Sequence, residues 1–111
     1  DCSGFVAWTF INAIGDPAVL EAIGNGSANQ WARSTSLGWD EAQPGDLAFR
    51  AKPGSVDINH VGIVLNKTQD GQYMIVHCSS KENGVVVTEA WSSGFRYFRR
   101  PALYQEEVAD Q

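Results

Sequence analysis

The sequence predicts an α+β fold in which N-terminal helices pack on an antiparallel sheet of about five strands. Three observations carry this expectation. Large apolar side chains (Phe5, Val6, Trp8, Phe10, Ile11, Ile14) crowd residues 5–14 at helical spacing. Beyond residue 46 the pattern changes to alternation, clearest at Val61, Ile63 and Leu65. Between two such runs stands Asp70-Gly71, a pair suited to the positive φ angles of a hairpin turn.

In chain order, a first helix is expected over residues 3–14. Its apolar side chains exceed one stripe, which predicts burial on more than one face. Asp1 can accept hydrogen bonds from the free amides at its start. Gly15-Asp16-Pro17 stops it, Asp16 serving as cap and Pro17 as opener of a short second helix ending near Ile23. Gly24-Asn25-Gly26-Ser27 breaks that helix, and residues 28–33 form another turn or two anchored by Trp31. Residues 34–44 read as loop. Gln43-Pro44-Gly45-Asp46 is a turn into a strand at Leu47-Ala48-Phe49, followed by a loop carrying Pro53-Gly54. Strands are then expected at 60–67, 73–79, 85–89 and 95–99, with a turn at Glu82-Asn83-Gly84 and a polar tail from Glu106.

A chain of 111 residues, 43% apolar and with four tryptophans, has the means to bury the core of one domain. Its net charge of -5 argues against nucleic-acid binding, which calls for a basic face. No apolar run reaches the length of a membrane span, and no signal-peptide pattern opens the chain. The apolar helix begins almost at once after Cys2, so residues 1–111 are expected to be a single catalytic domain lacking its N-terminal portion. Two cysteines, Cys2 and Cys78, allow one disulfide and no thiolate-rich zinc cluster.

Chemistry points to the first residues. A helix start directs unpaired amides and partial positive charge outward, which favours a thiolate at Cys2. The plain alternative is a small core cysteine. The only histidines are His60 and His77, at strand ends or within the predicted hairpin; they lie about ten residues before its turn and about six after it, so strict pairing needs a bulge or extra length, and they are expected as neighbours on adjacent strands. Together the three residues fill the roles of acyl transfer. Cys2 attacks a carbonyl carbon, His60 takes and returns the proton, His77 holds the base in place, and the Cys2 amide is a candidate oxyanion donor. Cys78 should point to the other side of its strand from His77 and reads as structural. A zinc site of Cys2, His60 and His77 is the chemical rival, but the usual short-spaced ligand pair is missing. No metal or cofactor is therefore expected.

Asp1-Cys2-Ser3-Gly4-Phe5-Val6, Pro44-Gly45-Asp46-Leu47, His60-Val61-Gly62-Ile63-Val64 and Ile75-Val76-His77-Cys78-Ser79 follow one another in the order of the signatures of the NlpC/P60 family of cysteine peptidases, which the chain resembles. The resemblance implies a papain-like core with Cys2 as nucleophile, His60 as base and His77 as third member. It also implies that Asp1 and Ser3 contact the amino-terminal side of the substrate. The partner it implies is a peptidoglycan stem peptide, cut at an amide bond next to D-glutamate, and the location is secreted or associated with the cell envelope. Departures from the family pattern are the absence of a tyrosine before Asp1, the length between the histidines, and Cys78 where alanine is common.

A CHAP-type amidase shares the cysteine, histidine and Pro-Gly-Asp theme; the Asp-Cys-Ser-Gly start and the second histidine weigh against it. A non-catalytic module that binds cell-wall peptides is the reading outside enzymology. Trp39 and Trp91 are candidates for a cleft or for packing, and Arg96, Arg99 and Arg100 for carboxylate binding or a solvated strand face.

Overall fold

A computed structural model describes residues 2–52, 57–79 and 84–104. Three helices, α1 (Cys2–Ile14), α2 (Val19–Ile23) and α3 (Ser27–Ala32), precede the sheet, apart from a 3-10 turn at Trp39–Glu41. The strands are β1 (Ser34–Leu37), β2 (Leu47–Ala51), β3 (Ile58–Lys67), β4 (Tyr73–Ser79), β5 (Gly84–Glu89) and β6 (Tyr97–Pro101). They form one antiparallel sheet in the order β1-β6-β2-β3-β4-β5. The α+β class is thus confirmed. Asp1, Pro53-Gly54, most of the turn before β5 and the C-terminal tail lie outside the described residues.

The sheet has six strands among the described residues, not about five. The additional one is β1, expected as loop because Ser34-Thr35-Ser36 shows no apolar alternation. It forms through its backbone ladder with β6, from Ser34 opposite Pro101 to Leu37 opposite Phe98. Ser34 is its buried member, with Oγ donating to the carbonyls of Gln30 and Trp31. A short polar strand at an open edge also discourages pairing with another chain.

Two apolar layers sandwich the sheet. On one side α1 and α2 contribute Val6, Ala7, Phe10, Val19 and Ile23 to a core with Leu47, Phe49, Val61 and Ile63. On the other, Ala48, Val64, Tyr73, Ile75, Ala90, Phe95 and Phe98 close together, with Trp39 against them. The expectation that α1 is buried on more than one face is corrected. Val6, Ala7 and Phe10 are buried, whereas Trp8 is 62% and Ile14 43% exposed. The sheet and α2 cover one side of α1, which leaves Trp8 outward.

Side-chain alternation along β3 is broken once. Val61 and Ile63 are buried, but Leu65, expected on the same face, is exposed. The pairing with β4 slips between Val64 and Asn66, so Leu65 is the extra residue of a bulge. With this register His77 falls opposite Gly62, so His60 and His77 are diagonal neighbours rather than a strict pair.

The Pro44-Gly45-Asp46 turn is fastened from several sides. Gly45 takes φ +94° and its amide bonds the Val64 carbonyl. Buried Asp46 accepts from the Gln43 amide and from Nε and Nη2 of Arg100, at 3.0 and 2.9 Å. That two-pronged pair holds Arg100 above its ordinary pKa, chiefly through the hydrogen bonds to Asp46. Arg99 stacks on Trp31 and donates to Ser34, and Arg96 stacks on Trp91 at 3.7 Å. All three arginines have intramolecular partners.

Continuing the β3–β4 register places Gly62 opposite His77. A Cβ on Gly62 would stand 2.6 Å from Ile75 Cγ2 and 2.9 Å from His77 Cβ. Gly62→Ala is therefore expected to destabilise the fold by about 1–3 kcal/mol, the usual cost of overpacking. Denaturant unfolding measures this, and a loss below about 0.5 kcal/mol would show that the strands part easily.

Candidate active site

The two histidines come together. His60, on β3, and His77, on β4, share the Phe95 side of the sheet, and His60 Nε2 lies 2.8 Å from His77 Nδ1. Their rings are 4.9 Å apart at 82°, and Phe95 packs on both. Both are buried, His60 to 9% exposure and His77 to 5%. His77 continues outward, its Nε2 lying 2.8 Å from Thr88 Oγ1 on β5. Thr88 Oγ1 is bonded in turn to Ser93 Oγ at 2.7 Å.

Arg50 supplies the local charge. It faces His60 across the β2–β3 ladder, lies over the Phe95 ring and donates from Nη1 to the Ser93 carbonyl at 2.8 Å. Gly94, at φ +90°, makes room for it, since a Cβ there would meet Arg50 Cδ at 2.9 Å. Burial, then the Arg50 charge, then His77 lower the pKa of His60 to about 4. Burial and Arg50 lower that of His77 as well. Near neutral pH both rings are uncharged, and a neutral His60 is what a general base must be.

Cys2 opens α1, which packs over β3 and β4. Its side chain is half-buried against the helix-side core, which includes Val61, the neighbour of His60. Among the described residues no hydrogen bond joins its sulfur to either histidine. The first turn of α1 is held by Gln30, fully buried, whose Nε2 donates to the carbonyls of Ser3 and Gly24 at 3.0 and 3.1 Å. Ser3 is half-buried, and Asp1 is outside the described residues. Cys78 pairs with Val85 on β5, and both cysteines are free thiols. Among the described residues no cluster of acidic, histidine or cysteine side chains fits a metal ion.

Arg50, Thr88, Ser93 and Phe95 escaped the sequence reading. Thr88 falls two residues after Val86, which pairs with His77, and therefore on the same face, a register that only the folded sheet supplies. Trp39 belongs to packing, against Tyr73 and Phe98, while Trp91 is 58% exposed at its edge.

An N-terminal helix opening on a cysteine and set on an antiparallel sheet with a linked histidine pair defines a papain-like cysteine peptidase domain. The CHAP domain profile matches residues 1–79. A relative, "Probable endopeptidase p60" of Listeria grayi, is 40% identical over 95 residues, which is 86% of this chain and 16% of the relative. The chain thus spans about a sixth of that protein's length. The crystal structure of the NlpC/p60 domain of the peptidoglycan hydrolase SagA superposes with a TM-score of 0.65 at 27% identity, covering 89% of this chain and 74% of that one. The chain belongs to the NlpC/P60 family, within the wider CHAP and papain-like group.

The lowered histidine pKa values set the sign of one pH effect. An unfolded histidine titrates near 6.5, so between that pH and about 4 the unfolded chain binds protons that folded His60 refuses. Native stability is expected to hold above pH 6.5 and to fall by on the order of 1–2 kcal/mol towards pH 4, allowing for solvent screening. Denaturant midpoints against pH measure it, and His60→Gln should flatten the slope over that window.

Proposed function

We propose that this domain hydrolyses amide bonds in peptidoglycan stem peptides, next to D-glutamate, as a cysteine endopeptidase. The observation that carries the reading is the 2.8 Å bond between His60 Nε2 and His77 Nδ1, which leaves His60 Nδ1 available for a thiol proton. Support for the substrate comes from the relatives, one titled an endopeptidase and the other a peptidoglycan hydrolase.

In the proposed reaction Cys2 Sγ attacks the scissile carbonyl carbon while its proton passes to His60 Nδ1. His77 Nδ1 accepts from His60 Nε2 and stabilises the imidazolium that forms. The oxyanion is met by the Cys2 amide at the start of α1, where the helix contributes partial positive charge. His60 returns the proton to the leaving amine, the C–N bond breaks, and an acyl-thioester remains. Water then attacks it with His60 again as base, releasing the carboxylate and restoring the thiol. No hydrogen bond joins Cys2 to His60 among the described residues, so in this reading the two close on one another when substrate binds. Asp1 and Ser3 contact the amino-terminal side of the substrate in this reading. Such a substrate places the protein outside the cytoplasm, at the cell envelope. No described helix is long and apolar enough to cross a membrane.

The match to the CHAP profile favours a second reading, an amidase acting on the same polymer. Mass spectrometry of digested muropeptides separates the two: a cut within the peptide supports the first reading, and a cut between glycan and peptide the second. With either substrate, Cys2→Ala is expected to lower turnover at least about a thousandfold with the fold intact. Equal cleavage by both proteins would remove Cys2 from the chemistry.

A further inference from the structure

We propose that Thr88, on the edge strand β5, is a positioning residue that sets the tautomer of His77 and through it the basicity of His60. This rests on the reading of His60 as the base. The bonded series runs His60 Nε2, His77 Nδ1 at 2.8 Å, then His77 Nε2, Thr88 Oγ1 at 2.8 Å, then Ser93 Oγ at 2.7 Å. A neutral imidazole has one N–H and one lone pair, so fixing the proton on one ring fixes it on the next.

For His60 Nδ1 to take a thiol proton, that atom must carry the lone pair, and the ring proton must sit on Nε2. His60 Nε2–H then donates to His77 Nδ1. His77 in turn must carry its proton on Nε2, pointed at Thr88 Oγ1. The hydroxyl oxygen has two lone pairs, so it accepts there and from Ser93 Oγ as well. Without that acceptor, a buried N–H on His77 has no partner, and the pair is drawn to the reversed arrangement. His77 then donates from Nδ1 to His60, whose proton moves to Nδ1 and blocks the base.

Geometry restricts the alternatives. His77 is 5% exposed, and Phe95 lies across both rings at 5.1 and 5.6 Å, which limits their turning. Ser93 is itself held, its carbonyl accepting from Arg50 Nη1 at 2.8 Å. Thr88 is thus fastened on the side away from the histidine by a residue whose own backbone is fixed.

The chain contains two histidines, so ring ¹⁵N spectra near neutral pH resolve every tautomer without a substrate. In the wild type both rings are expected protonated on Nε2. Thr88→Val should shift His77 towards Nδ1 and lower kcat on stem peptide about tenfold with KM little changed, while Thr88→Ser should restore both. Thr88→Ala removes the hydroxyl without bulk, serves if the valine chain fails to fold, and should behave alike. A wild-type His77 protonated on Nδ1, or hydroxyl-free variants with an unchanged tautomer, would overturn the proposal. A wild type that cleaves nothing would overturn the hydrolase reading instead, and the spectra would still decide the role of Thr88.

Discussion

The pairing of β3 with β4 is the constraint on which the site depends. Ile63 opposite Val76 puts Gly62 beside His77, and the missing Cβ leaves room for Ile75 Cγ2, His77 Cβ and the Val76 carbonyl. His60, two residues away on the same face, then reaches His77 diagonally. A slip of one residue would send His77 to the helix side of the sheet and leave His60 beside an apolar neighbour. The Leu65 bulge absorbs the extra residue on the turn side of this contact, so the hairpin closes without disturbing it.

The rest of the fold holds this pairing in place. The helices cover the Val61 and Ile63 side, while Phe95 and Arg50 confine the opposite side. The same packing that immobilises the rings removes water from them, and the Arg50 guanidinium opposes their protonation. Rigid placement and a neutral resting state therefore have one origin. The Asp46–Arg100 pair ties the turn before β2 to β6, linking the strands that flank the histidines to the far half of the sheet.

Much of this was legible in the sequence because it depends on local pattern. Apolar spacing marked α1, and alternation and Asp70-Gly71 marked β3 and β4. What escaped depends on partners distant in the chain. β1 has no apolar alternation and exists because β6 lies beside it. The exposure of Trp8 reflects how far the sheet extends, which helical spacing cannot report. Arg50, Ser93 and Phe95 meet the histidines only once β2 and the turn after β5 are in position. Cys2, His60 and His77 stood out by residue type and by order along the chain, and for the two histidines the folded geometry adds their direct bond.

The place of β5 in the sheet has a further consequence. Among the described residues it is an edge strand paired with β4 alone, and Val85 and Val87 lie 56% and 50% exposed. Thr88 occupies this lightly held margin, while His60 belongs to the central strand β3. The hydroxyl end of the histidine series can therefore separate by fraying of a single strand while the central sheet stays folded. Heat or mild denaturant would release the Thr88 end of the series before the central sheet unfolds.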